Sequence, residues 1–278
     1  MRTLLLLASA LLLAIPAMAQ ELKLPPLSPL STVTTEFSTS KIEITYNRPS
    51  MKGRKIFGGL VPFGEVWRTG ANAATKITFG EEVEIGGKTI PAGSYSFYTI
   101  PNETEWVIII NKNTGSWNGT GWAKEDDMVR MTVKPSRTTQ TVETFTLSIG
   151  NITFSSCTID LMWENTVVSV PVKANNNERL MKNIEKAVER PTIPYRAAAL
   201  YYIATDQNLD KALDYIQKAI DENPKAFWNH MTKAEIAAKL GKNDMAREAV
   251  AKVRELTKDT ESETSYYSQT QAVLDQLK

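Results

Sequence analysis

SYSFYTIPNETEWVIII, Ser94 to Ile110, is the stretch on which the reading of the fold turns. In Ser94–Ile100, Tyr95, Phe97 and Thr99 alternate with Ser96, Tyr98 and Ile100, the period of two of a β-strand. Pro101-Asn102 closes that run with turn residues. Trp106–Ile110 is continuously apolar and rich in β-branched side chains, which suits a central strand buried on both faces. Two strands of this kind, side by side in sequence, predict a sheet with a filled interior.

Working outward, the same punctuation recurs. Thr75–Phe79 and Glu82–Ile85 are separated from Thr89-Ile90 by Gly86-Gly87, a hairpin turn that accepts positive φ. Upstream, Ile42, Ile44 and Tyr46 alternate with Lys41, Glu43 and Thr45. Downstream, Met128–Lys134, Gln140–Ile149, Ser156–Glu164 and Thr166–Val172 read as four more strands. Many short strands at close spacing predict an all-β sandwich or barrel-like domain over residues 31–174. The composition shifts at Ala174–Asn177, and residues 178–278 read as an all-α domain of helical hairpins. Ala212, Ile216 and Ala219 recur as Ala246, Val250 and Val253 at an offset of 34, the tetratricopeptide period. Lys233 and Ala234 replace the Leu and Gly of that consensus, so the repeats are degenerate. Flanking helices before Ile193 and after Glu261 are expected to cap the stack.

The N-terminal residues 1–19 have Arg2, an apolar run from Leu4 to Ile15 and a small-residue Ala17-Met18-Ala19 site, the pattern of a signal peptide. The expectation is export to the periplasm or the extracellular space. Residues 20–30, Pro-rich, form an extended lead-in. Removing Arg2 takes the formal net charge from +1 to about zero, which argues against nucleic acid as a partner. No later run is long enough for a helical membrane span. Cys157 is the single cysteine and His230 the single histidine, too few for a His/Cys zinc site, and no metal or cofactor is expected. Cys157 reads as a buried small hydrophobe.

Between the strands lies NRPSMKGRKIFGGLVPFGEVWRTGANAATK, Asn47 to Lys76, broken by Gly and Pro yet rich in apolar residues. Arg48, Lys52, Arg54, Lys55, Arg68 and Lys76 face only Glu65 there. Two readings stay open. Arg48, Arg54 and Arg68 could converge on a carboxylate, phosphate or sulfate through their guanidinium forks. Alternatively, they could lie over Phe57, Phe63 and Trp67 and satisfy loop carbonyls.

The β domain resembles the family called domain of unknown function 2911, found in exported bacterial proteins. The resemblance rests on RPSMKGRKIFGGLVPFGEVWRTGAN (Arg48–Asn72), IPAGSYSFYTIP (Ile90–Pro101), WVIIINKN (Trp106–Asn113) and LMWENTVVSVPV (Leu161–Val172). The chain departs from the family pattern at Ala73, where Glu is frequent. The resemblance implies a fold and a site location and no mechanism.

The candidate ligand residues are therefore Arg48, Arg54, Trp67, Arg68 and Asn72, with Trp117 and Trp122 in NKNTGSWNGTGW as a second, sugar-stacking candidate. The bland reading folds both tryptophans onto the core. The acidic triplet Glu125–Asp127 lacks calcium-loop spacing and reads as a solvated turn. The Asn-x-Ser/Thr triplets at Asn102, Asn118 and Asn151 read as surface turns. No Walker loop, nucleophile elbow or dinucleotide fingerprint is present. No catalytic residue is assigned, and His230, in the repeats, reads as packing. The expected function is an exported, non-enzymatic binding protein for a small anionic or sugar-like ligand, with a protein partner on the helical repeat. A glycan-active hydrolase, pairing Glu65 with Glu43, Asp126 or Asp127, is one alternative. A structural envelope assembly factor is the other.

Overall fold

The computed structural model describes residues 24–115, 122–187 and 194–277. Ten strands form the first part: β1 (Leu30–Phe37), β2 (Ser40–Asn47), β3 (Thr75–Phe79), β4 (Val83–Ile85), β5 (Lys88–Ile90), β6 (Gly93–Ile100), β7 (Trp106–Asn111), β8 (Asp127–Val133), β9 (Ser136–Gly150) and β10 (Ser156–Ala174). They pair antiparallel into a six-stranded sheet, β1-β2-β3-β6-β7-β8, and a four-stranded sheet, β5-β4-β10-β9. The sandwich expected from alternation is the fold observed.

The core lies between the sheets and draws on the inward positions of both, among them Ile44, Ile77, Phe97, Ile108, Leu147, Ile159 and Trp163. β7 sits between β6 and β8, and its Trp106 is 1% exposed. Tyr98 and Ile109, register partners in β6 and β7, are fully buried without belonging to the inter-sheet cluster, so both faces of this strand pair are covered. The continuous apolar run of β7 has that double burial as its cause. Cys157 is buried on β10, and desolvation, with Asp160 nearby, pushes its thiol pKa up to about 12. An unreactive small hydrophobe is the result.

One expectation is corrected and one strand was not expected. Ser156–Glu164 and Thr166–Val172 form one strand of 19 residues, not two. The break in the pattern is a bulge, with register shifts on both sides of Glu164 and its φ at 55°. The extra residues lie on β9, which runs nine residues from Thr146 to Arg137 while β10 runs four from Met162 to Thr166, so β10 bends at Glu164 without its pairing to β9 ending. β1 had no clear signal. Its half-buried face is Ser31, Val33 and Thr35, so hydroxyls occupy places where the alternation rule looks for apolar side chains.

The second part comprises six helices: α1 (Asn177–Ala187), α2 (Tyr195–Ala204), α3 (Leu209–Glu222), α4 (Phe227–Lys239), α5 (Asn243–Thr257) and α6 (Glu263–Gln276). Ala212, Ile216 and Ala219 on α3, and Ala246, Val250 and Val253 on α5, occupy matching buried positions. Small residues at these places let neighbouring helices approach closely, α3 against α2 and α5 against α4. His230 is buried within α4, with its Nε2 2.9 Å from the Pro224 carbonyl oxygen.

A carboxylate of the β part gathers bonds from the segment that leads into the helices. Glu81, in the β3–β4 turn, accepts from the Thr39 amide (3.1 Å) and hydroxyl (2.8 Å), from Asn176 Nδ2 (2.7 Å) and from Arg179 Nη2 (2.8 Å). Arg179 Nη2 also donates to the Thr39 hydroxyl, and Asn176 Nδ2 to Ser38 Oγ. Burial raises the Glu81 pKa, but the bonds from Asn176 and Thr39 and the charge of Arg179 outweigh it, leaving the group below its ordinary 4.5. A depressed carboxyl stabilises the fold above its unfolded pKa and loses that contribution as pH falls through its folded value. Thermal unfolding followed from neutral pH to below about 4.5 should show a loss of stability in the wild type that is reduced in Glu81→Gln. Identical pH profiles for the two proteins would contradict this role.

Candidate functional site

Arg48 to Ala74 connects β2 to β3 and is ordered without being regular. Its first residues pair with β9 across the gap between the sheets: Met51 N donates to Glu143 O (2.8 Å) and Phe145 N to Pro49 O (2.8 Å). Its last part pairs with β6 through Trp67 N to Thr99 O (2.7 Å) and Thr99 N to Trp67 O (3.0 Å). Between these anchors the chain folds on itself, with Val61 N donating to Ile56 O and Gly58 N to Val61 O, each at 2.9 Å. Gly58 has φ of +76°, and a Cβ there would lie 2.5 Å from the Phe63 ring. Only glycine satisfies both the backbone and the ring.

Beneath the loop is an aromatic cluster. Phe57 meets Trp106 edge-on at 4.8 Å, and Trp67 stacks on Trp163 at 5.9 Å with 19° between planes. Phe145 packs against Trp67 at 5.2 Å, and Trp163 Nε1 donates to Glu143 O at 3.1 Å. Over Trp67 and Trp163 opens a cavity of about 450 Å³, with Lys52, Arg54, Arg68 and Glu65 among its lining residues. Among the described residues, three cations thus line this cavity with one carboxylate. Burial lowers the Arg68 pKa, the mark of a cation held partly out of water. A guanidinium stays charged regardless, so Arg68 brings a fixed positive charge to the cavity lining.

The expected residues separate by place. Arg54, Trp67 and Arg68 line the cavity together. Arg54 also donates Nε to Met51 O (2.8 Å) and Nη2 to Ser50 O (2.7 Å). Arg48 is not among the lining residues and braces β9, with Nε on Phe145 O (3.1 Å) and Nη2 on Thr146 Oγ1 (2.9 Å). Asn72 is exposed, with φ of 58°, and also outside the lining. Trp122 lies by β8, where its Nε1 donates to Asp127 Oδ1 (3.0 Å) and Arg130 lies 5.5 Å from its ring centroid. Trp117 lies outside the described residues. Neither Glu43, Asp126 nor Asp127 joins Glu65 in the cavity; Asp126 pairs with Lys112 and Asp127 with Arg130. Trp163, Ser28 and Leu27 complete the cavity from distant sequence. The alternation within LMWEN marks Trp163 as inward-facing, but no local signal places it under Trp67.

Replacing Arg48 with Met removes both bonds to β9 and leaves a half-buried carbonyl with less to accept. Urea unfolding should show a loss of about 1–3 kcal/mol for Arg48→Met. A change within about 0.5 kcal/mol would contradict the bracing role.

The comparisons with known proteins bear on the β part alone. No curated protein matches the chain, and no solved structure does. The family model described as "Protein of unknown function (DUF2911)" matches residues 28–172, which span β1 to β9, all but the last two residues of β10 and the whole β2–β3 loop, and make up more than half of the chain. The chain belongs to the DUF2911 family.

Proposed function

We propose that this chain is an exported, non-enzymatic binding protein whose β domain takes a small anion in the cavity lined by Lys52, Arg54 and Arg68, and whose helical domain engages a protein partner. The observation that carries the reading is the grouping of these three cations, with Glu65 the one carboxylate of the lining among the described residues, over the stacked Trp67–Trp163 pair. Guanidinium and ammonium groups supply charge-assisted bonds to a carboxylate or phosphate. The half-buried Trp67, backed by Trp163, supplies apolar contact for a ring or chain attached to it. The cavity volume suits a small molecule. The amino-terminal pattern of residues 1–19 supports export.

One observation favours a purely structural reading: Arg54 already donates to two carbonyls of its own loop. The two readings forecast opposite results. A ligand that binds only the folded chain stabilises it by about 2.7 kcal/mol at a hundredfold excess over its dissociation constant. A thermal-shift screen of inorganic phosphate, sulfate and glucuronate should raise the melting temperature of the wild type. Arg68→Lys keeps the charge and loses the fork, so the shift should shrink while the unliganded melting temperature is nearly unchanged. Absence of any shift, together with a lower melting temperature for Arg68→Lys, would leave the loop as a structural brace and overturn the proposal.

A further inference from the structure

The β2–β3 loop has a second flank. Residues 55–63 form a partition, and on the side away from the first cavity lies another, of about 480 Å³, lined by Lys55, Phe57, Phe63, Glu103, Arg137 and Glu164 among others. Glu164 is unusual in its backbone. Among the described residues it is the one non-glycine residue inside a strand with φ in the left-handed region, at 55°, and the β9–β10 register shifts on both sides of it. That conformation is strained for a side chain with a Cβ, and it lies opposite the surplus residues of β9, an irregularity of the sort that re-aims side chains next to binding sites. Its neighbour Asn165 fixes the bulge, donating Nδ2 to Thr138 O (3.2 Å) and accepting from Thr141 Oγ1 (3.3 Å). The Glu164 carboxylate itself makes no hydrogen bond or ion pair with any described residue, and neither do the side-chain charges of Lys55, Glu103 and Arg137.

Two cations and two carboxylates therefore line one cavity without pairing to each other. A neutral ligand would make no charge-assisted bond to the half-buried Glu164 or to the exposed Lys55, Glu103 and Arg137. A ligand of one sign would satisfy one pair and repel the other. We propose that this cavity is a second binding site, separate from the anion cavity and not resting on it, for a small zwitterion: an amino acid or short peptide with both chain ends free. The ammonium is received by Glu164 beside the rings of Phe57 and Phe63, where a carboxylate and aromatic faces both favour a cation. The carboxylate is received by the guanidinium fork of Arg137, with Lys55 adding charge.

The test is titration calorimetry on the full chain with L-alanyl-L-alanine, its N-acetyl form and its C-terminal amide. The free dipeptide should bind, and each capped form should bind at least about tenfold more weakly, since each strands a charge on the protein. Glu164→Gln should lose binding by a similar factor. Glu164→Gly, which relaxes the backbone, should lose binding without any fall in melting temperature. Arg68→Lys, in the other cavity, should leave the dipeptide affinity unchanged. Failure of the wild type to bind the dipeptide, equal binding of the capped forms, or a lower melting temperature in both Glu164 variants would overturn the proposal.

Discussion

The backbone pairing of Pro49 and Met51 with Phe145 and Glu143 is the tie on which the rest of the β domain depends. Two packed sheets hold together through side chains alone unless the chain crosses between them. Here the residues that leave β2 continue as a short strand-like segment against β9, so the six-stranded and four-stranded sheets share hydrogen bonds at one corner. Tyr46 reinforces the same corner: its hydroxyl accepts from Leu147 N at 2.9 Å and donates to Leu147 O at 3.3 Å. Arg48 adds its fork to Phe145 O and Thr146. Buried backbone groups need partners, and this corner supplies them without a regular strand.

From that tie follow the two cavities. The loop is fixed at its start by β9 and at its end by the Trp67–Thr99 pair, and the excess chain between them folds over Trp106 and Trp163. A segment held at both ends and packed onto rings from below cannot collapse into the grooves on either side, so each flank stays open. The flanks differ in charge because successive residues of the loop face different ways. Lys52, Arg54 and Arg68 line one, and Lys55 meets Arg137, Glu103 and Glu164 on the other. The helical part lies at a different place, joined through Glu81, and none of its described residues lines either cavity.

Much of this was legible in the sequence because it rests on periodicity. The alternation of Tyr95 and Phe97, the unbroken Trp106–Ile110 run and the spacing of Ala212 and Ala246 each record a burial pattern, and burial is what built the strands and helices. β1 was not legible because the hydroxyl residues Ser31 and Thr35 share its inward face with Val33 and Phe37. The bend of β10 opposite the bulged β9 was misread as a strand end because Glu164 and Asn165 look like punctuation, and only the continued pairing with β9 shows otherwise. The loop announced itself by its charge and its glycines. Which of its arginines meets which surface depends on Trp163 and β9, brought in from distant sequence, and no local pattern encodes that. Hence Arg48 and Arg68, equivalent in sequence terms, differ in role: the first braces a strand and the second lines a cavity.

The most direct measurement of the account is native-state hydrogen exchange at the amides of Met51 and Phe145. If the loop is tied to β9 as part of the sandwich, both amides should exchange only by the same global opening as Ile108 in β7, with matching dependence on denaturant. Exchange of Met51 and Phe145 by local opening, at the rate of exposed loop amides and independent of denaturant, would contradict it.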